Sequence, residues 1–208
     1  MLTKEQVITW LTLCHEVLEE NKTWLTQLDT AIGDADHGNN MNRGFKKVYA
    51  QLDAIKDKDI GAIFKATAMT LISTVGGASG PLYGTFFLQA GNKLAGKEEL
   101  TDNDVAIMLR AGLDGVVMRG KAQAGDKTMV DVLIPVTESV EQDINAGTPL
   151  AEALAKAVEV AEQGVKDTIP LVAKKGRASY LGERSRGHQD PGATSSRLII
   201  EALFNASR

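Results

Sequence analysis

Three aspartates, Asp29, Asp34 and Asp36, fall within eight residues of the segment Asp29-Thr-Ala-Ile-Gly33-Asp34-Ala-Asp36-His37-Gly38. Carboxylates so close repel one another unless a cation lies between them. An all-oxygen ligand set suits a hard ion, magnesium or calcium. A calcium loop begun at Asp34 would need an acid or amide at residue 38, glycine at 39 and glutamate at 45. The chain has Gly38, Asn39 and Phe45 there, so that pattern fails. Magnesium, which keeps waters and takes substrate phosphates, fits better. The competing reading is helix capping in a solvated turn, which would account for one or two of the aspartates. His37 directly follows two of the candidate ligands, although a lone histidine is more often structural.

A second segment, Val75-Gly-Gly-Ala-Ser79-Gly-Pro-Leu-Tyr-Gly84-Thr85, is rich in glycine. Glycine lets backbone approach a ligand closely, and a following helix N-terminus offers free N–H groups to an anion. Close helix packing would use the same small residues. A Walker loop begun at Gly77 would need glycine and lysine where Leu82 and Tyr83 stand, and no Gly-x-Gly-x-x-Gly follows a strand. Two further loops carry polar and basic groups: Arg119-Gly120-Lys121 through Gly125-Asp-Lys-Thr-Met129, and Lys175-Gly-Arg177-Ala-Ser-Tyr180 with Gly187-His-Gln-Asp190-Pro191-Gly192-Ala193. Arg177 suits phosphate, and Asp190-Pro191-Gly192 suits a rigid helix start. In isolation an ordinary helix start and a solvated lid explain both. No Gly-x-Ser-x-Gly elbow is present. Cys14 lies on an apolar stripe, where a buried inert thiol is expected. The residues alone point to a magnesium-dependent binder of a phosphorylated ligand.

Apolar residues recur at three- and four-residue steps, which predicts an all-α scaffold. Thr3 and Gln6 form a capping-box pattern ahead of Val7, Trp10, Leu11, Cys14 and Leu18. Further helices are expected over about 23–30, 40–55, 60–75, from Pro81, 101–118, from 126 or 127 to 140 with a bend at Pro135, 150–168, and from Pro191 onward. Short connections make neighbours antiparallel. The glycine- and arginine-rich stretch 174–189 has no predicted element, and long loops of this kind are usually functional.

Composition sets the outer limits. The chain has 208 residues, 43% of them hydrophobic and 24% charged, which suits a globular core. A net charge of −4 argues against a nucleic-acid surface. No apolar run reaches the roughly 18 residues of a membrane helix. One cysteine and no basic stretch leading into an apolar run make the cytoplasm the expected compartment, without a signal peptide.

The segments 32–44, 76–84, 125–129, 176–182 and 190–193, in this order, resemble the L subunit of dihydroxyacetone kinases and the matching C-terminal domain of the ATP-dependent enzymes. The likeness covers nearly the whole chain. It implies one domain over 1–208, folded as an eight-helix antiparallel barrel with a nucleotide at one end. By the same resemblance, Asp29, Asp34 and Asp36 would hold two Mg²⁺ ions bridging the phosphates of a retained ADP that cycles with ATP. His37, Gly38, Asn39 and Asn40 would line the site beside them. Ala78 and Ser79 would meet the phosphates, and Gly120 and Met129 would flank the adenine. Arg177, the one residue with an implied catalytic role, would close the site together with Asp190, Pro191 and Gly192. The implied partners are a dihydroxyacetone-binding K subunit and a phosphotransferase-system phosphoprotein, the M subunit. The stretch 182–190 resembles the phosphotransferase-dependent type. The rivals are an ATP-exchanging kinase subunit for another small ketose or a fatty acid, a nucleotide sensor that binds a transcription regulator, and a magnesium-dependent phosphohydrolase.

Overall fold

The computed structural model describes residues 1–208. It contains nine α-helices: α1 (Lys4–Glu20), α2 (Lys22–Ile32), α3 (His37–Ile55), α4 (Ile60–Thr74), α5 (Ser79–Lys93), α6 (Asp102–Gly120), α7 (Val130–Asn145), α8 (Leu150–Asp167) and α9 (Pro191–Ser207). A 3₁₀ segment spans Arg177–Ser185, and two short strands, β1 (Leu2–Thr3) and β2 (Glu99–Leu100), pair antiparallel. The class is all-α, as the periodicity predicts.

Eight helices close a ring. Going round it, α1 packs on α3, then follow α4, α5, α6, α7, α8 and α9, and α9 returns to α1. The helix left out, α2, rests against α3, α9 and the 3₁₀ segment. An even number of helices joined by short connections can alternate in direction all the way round and still close. At one end, the 94–101 loop meets the start of α4, where Ile60 N–H donates to Lys97 O at 2.8 Å. Asp59 there caps α4 through Ala62 N–H and also accepts Gly96 N–H, each at 3.0 Å. The chain termini share that end, with Gln6 Nε2 donating to Ser207 O at 3.2 Å. The N-termini of α3, α5, α7 and α9 therefore gather at the opposite end.

The ring is filled by apolar side chains, with Phe87 at the hub. Its ring lies 5.6 Å from Trp10, 5.7 Å from Phe64, 5.4 Å from Phe86 and 6.4 Å from Phe45. Trp10 keeps its polar edge satisfied by donating Nε1–H to Ile199 O at 3.0 Å. No helix is long and apolar enough to cross a membrane.

Local chemistry places most boundaries. Thr3 with Gln6 and Thr101 with Asp104 form full capping boxes. Pro191 is the first residue of α9, where a missing N–H costs nothing. Several boundaries differ from the sequence expectation, among them the start of α5, at Ser79 and not Pro81, and the end of α7, at Asn145 and not 140. Helix α3 starts at His37, not Asn40, because Asp29 on α2 accepts the N–H groups of Asp36 and His37. Helix α7 starts at Val130, because Lys127 is left-handed at φ 63°. The 174–189 stretch is folded into the 3₁₀ segment, broken at Gly182 and pinned by buried Ser185, whose Oγ accepts Ala173 N–H at 2.9 Å.

Phe87→Ala removes the aromatic hub from a site with no room to collapse. The expected loss is about 3–5 kcal/mol, read as a lower urea midpoint at unchanged slope.

Candidate functional site

Four helix N-termini converge on one cavity of about 480 Å³. Its wall takes residues from the starts of α3, α5, α7 and α9 and from the 3₁₀ segment. The volume lies within the roughly 300–1,000 Å³ typical of small-molecule sites. Each helix start offers unpaired N–H groups to an anion, while the ends of α4, α6 and α8 reach the same end with the opposite dipole.

At three of these four starts a side chain accepts one first-turn N–H, and the other N–H groups of the turn stay free. Asp29 Oδ2 serves α3, accepting Asp36 N–H at 2.8 Å and His37 N–H at 3.0 Å. Asp190 serves α9, accepting Ala193 N–H at 2.8 Å. At α7, Asp131 accepts Thr128 N–H at 2.8 Å, and Thr128 Oγ1 accepts Val130 N–H at 3.2 Å. Helix α5, which follows Gly76-Gly77-Ala78, has no side-chain cap. None of its first-turn N–H groups meets a side chain, so this start is the most open of the four to a ligand. The close-packing reading of the glycine run holds at Gly80, while Gly77 serves the turn. Gly77, at φ 66°, shapes the turn along the cavity wall. Gly80 lets α5 lie close on α4, since a Cβ there would sit 2.2 Å from Val75 O.

The acidic cluster sits beside this turn. Asp29, Asp34 and Asp36 bring carboxylate oxygens within 4.8 Å of one another. Gly33 makes this possible, because a Cβ at that position would fall 2.0 Å from Asp29 Oδ1. Ala35 adopts φ 61°, and the other non-glycine residues with positive φ, Lys121 and Lys127, sit in the loop between α6 and α7 at the same end. Burial holds the Asp36 carboxyl above its ordinary pKa, and the negative charges of Asp34 and Asp29 add to the effect; a hydrogen bond from Asn40 partly opposes it. Across the mouth, Arg177 Nε pairs with Asp34 Oδ2 at 2.5 Å. Several carboxylate oxygens remain without a cationic partner. A hard divalent ion fits this donor set and would relieve the repulsion.

His37 is not a metal ligand in this geometry. It is buried, and both ring nitrogens meet hydroxyls: Nε2 lies 2.9 Å from Ser195 Oγ and Nδ1 lies 3.1 Å from Ser79 Oγ. Burial pushes its pKa down to about 4 against the pull of Asp29, so the imidazole is neutral near pH 7.

Lys127 is the largest functional residue that sequence reasoning passed over. Its side chain is fully buried, and Nζ donates to Thr168 O at 2.6 Å, to Ile169 O at 3.4 Å and to His188 O. A cation at the C-terminal end of α8 is favourable, and here it ties together three loops around the cavity. Burial lowers its pKa, with Asp190 opposing. Asp190 is itself pushed up to about 7 by burial, against the hydrogen bond from Ala193 and the charge of Lys127.

Twelve of the residues singled out from sequence line the cavity: Asp29, Asp34, Asp36, His37, Ala78, Ser79, Gly120, Met129, Arg177, Asp190, Pro191 and Gly192. Three do not. Gly38 faces α2, where a Cβ would lie 2.0 Å from Lys22 O. Asn39 is exposed on the outer side of α3. Asn40 is buried behind Asp36 and accepts from Arg43 at 2.7 Å. Sequence reasoning also missed an apolar wall of Leu82, Val116, Ala122 and Val130. These residues come from three separate segments, and no local pattern marks them as a surface for a flat ring.

Comparison with known proteins accords with this geometry. The DAK2 domain family matches residues 31–205. The PEP-dependent dihydroxyacetone kinase, ADP-binding subunit DhaL, of Escherichia coli is 52% identical over 207 residues, covering 100% of this chain and 99% of that one. The corresponding PTS-dependent subunit of Lactococcus lactis is 43% identical over 204 residues, 98% of each chain. L-erythrulose kinase of Pectobacterium atrosepticum is 33% identical over 93% of this chain, which spans 33% of that longer protein. Among solved structures, the dihydroxyacetone kinase from C. freundii in complex with AMP-PNP and Mg²⁺ superimposes with a TM-score of 0.74 at 27% identity, over 96% of this chain and 33% of that chain. With a family match spanning most of its length and relatives aligned end to end, the chain belongs to the DAK2 domain family.

Proposed function

We propose that the chain is the ADP-binding subunit of a dihydroxyacetone kinase, acting as one nucleotide-binding domain over residues 1–208 in the cytoplasm. One observation carries this reading. A cluster of carboxylates and an uncapped helix N-terminus open into the same cavity, and neither an anion nor a cation alone suits both. A metal–polyphosphate complex does. The E. coli and L. lactis relatives, named as ADP-binding subunits, support the choice of ADP. The C. freundii complex, with AMP-PNP and Mg²⁺, supports the pairing of nucleotide with metal.

In this reading Asp29, Asp34 and Asp36 hold the magnesium ions, two in number. Ala78 and Ser79 at the start of α5 bind phosphate oxygens, and Gly120, Met129 and the apolar wall receive the adenine. Arg177 and the Asp190-Pro191-Gly192 turn close the site. Bound magnesium supplies charge neutralisation at the phosphates. The chain's own residues position and exclude water; no side chain is placed as a nucleophile or free base. A phosphoprotein M subunit of the phosphotransferase system would charge ADP to ATP. Dihydroxyacetone on a K subunit would then take the phosphoryl group. The full-length identity to PEP- and PTS-dependent subunits favours retention of the nucleotide over exchange. The kinship with an erythrulose kinase keeps another small ketose as the second reading for the acceptor.

Asp34→Asn should abolish measurable ADP binding in magnesium, by calorimetry, while helical circular dichroism stays intact. Excess EDTA on wild type should act in the same way. It should release ADP and lower the melting temperature, removing about 2.7 kcal/mol if ligand had stood at a hundredfold its dissociation constant. Wild-type affinity in the variant would sink the metal assignment.

Arg177 is mostly exposed, and its pair with Asp34 adds little to folding. Its planar fork suits a terminal phosphate present only during turnover. Arg177→Ala should therefore reduce phosphoryl transfer more than it weakens ADP binding, by single-turnover assay beside calorimetry. Equal losses would make it a binding residue only.

Retention can be read directly. The chain loaded with radiolabelled ADP is given the K subunit, dihydroxyacetone, the phosphoprotein and its phosphoenolpyruvate-driven donors, then an excess of unlabelled ATP. Many turnovers with the label still bound are expected. Rapid loss of label, with product formed from free ATP and the K subunit alone, would assign the chain to the exchanging type.

A further inference from the structure

Behind the α5 turn runs a buried chain of polar groups that no phosphate or metal contact explains. It begins at Ser79, the first residue of α5, and passes through His37, the first residue of α3. It continues to Ser195 on α9, then to Tyr83 one turn further along α5, and ends at Ser196. The separations are 3.1, 2.9, 2.6 and 2.8 Å in that order. Tyr83, Ser195 and Ser196 are buried in the core of the barrel. Gly192 O also lies 3.1 Å from Ser195 Oγ and 3.3 Å from Tyr83 Oη.

Counting protons gives the chain a direction. A buried hydroxyl must donate its proton somewhere. The one side-chain partner of Ser196 is Tyr83, so Ser196 donates to it. Tyr83 then has two acceptors for its own proton, Gly192 O at 3.3 Å and Ser195 Oγ at 2.6 Å, and the shorter link goes to Ser195. Ser195 has two acceptors in reach. Gly192 O is the i−4 carbonyl of Ser196 and already serves the α9 ladder, whereas His37 Nε2 is closer, at 2.9 Å. Ser195 therefore donates to Nε2. A neutral imidazole accepting at Nε2 must carry its proton on Nδ1, and that N–H points to Ser79 Oγ. The hydroxyl proton of Ser79 is then free to turn into the cavity. With the opposite tautomer, Ser79 would give its proton to His37 and show lone pairs to an incoming anion.

We propose that Tyr83 and Ser195 are positioning residues that hold His37 as the Nδ1–H tautomer, so that Ser79 donates its hydroxyl proton to a phosphate oxygen. The proposal rests on the reading of the cavity as a nucleotide site. It also explains why a neutral histidine stands between an acidic cluster and a phosphate cradle: it transmits orientation, not charge.

Two measurements test it. Two-bond ¹H–¹⁵N correlation spectra of histidine-labelled wild type, with His37 assigned by the H15N and H188N variants, report the tautomer directly. A pyrrole-type Nδ1 and a pyridine-type Nε2 are expected both without nucleotide and with ADP and magnesium. A protonated Nε2 overturns the proposal, whereas wild type that binds no ADP overturns the site reading beneath it. Ser195→Ala and Tyr83→Phe should each weaken ADP binding, Ser195→Ala by about tenfold, the weight of one hydrogen bond to a charged group. In a Ser79→Ala background both losses should vanish, because the relay acts only through that hydroxyl. Losses that simply add would mean a packing role and refute the relay. Should Ser195→Ala fail to fold, the wild-type spectra and the Tyr83→Phe cycle still decide.

Discussion

Four helix N-termini cannot be brought to one end of a barrel without something to satisfy their N–H groups. The even ring forces this meeting: with every second helix reversed, the starts of α3, α5, α7 and α9 share one end. Orphan donors in a cavity are costly unless paired. Asp29, Asp190 and the Thr128 hydroxyl each take one first-turn N–H at three of the four starts. The fourth, at α5, has only the glycine turn before it. The same aspartate that caps α3 also stands within reach of Asp34 and Asp36, so building the anion site creates a cation site beside it.

This arrangement is held against its own electrostatics. Three close carboxylates, a buried lysine and a buried aspartate all oppose folding to some degree. The lysine is tolerated because its ammonium meets carbonyl oxygens of Thr168, Ile169 and His188, which also close the α8–α9 connection over the cavity. Ala35, Lys121 and Lys127 hold left-handed backbone that glycine would adopt more readily. Such strain persists only where surrounding packing over-determines it. The aromatic hub around Phe87 provides that packing deep in the ring, behind the site.

What could be read from sequence was whatever local chemistry decides. The helical period, the capping boxes at Thr3 and Thr101 and the start of α9 at Pro191 all depend on residues within one turn. The acidic turn and the glycine run were legible for the same reason. Contacts across the ring were not. The start of α3 is set by Asp29 from another helix, so Asn40 looked like the beginning when His37 was. The family resemblance places Gly38 at the site, and in the structure it faces α2 and not the cavity. Lys127 reads as part of an ordinary helix start, since nothing near it in sequence announces the carbonyls it meets some forty and sixty residues on. The apolar wall of Leu82, Val116, Ala122 and Val130 exists only once α5, α6 and α7 are side by side.

The absence of a placed nucleophile follows from the same architecture. Every hydroxyl and imidazole close to the cavity is already part of a hydrogen-bonded set: Ser79 with His37, His37 with Ser195, Thr128 with Val130. A base held by partners on both ring nitrogens has no lone pair to offer a reacting proton. Phosphoryl transfer tolerates this, because it depends on alignment and neutralised charge more than on covalent help from protein. A site of this kind can present a terminal phosphate in a fixed direction, and its carboxylates are the groups not already tied to a hydroxyl or imidazole. A nucleotide carrier set at the end of a rigid barrel is suited to such presentation, since its phosphate can be offered in turn to a donor and to an acceptor without the barrel itself having to rearrange.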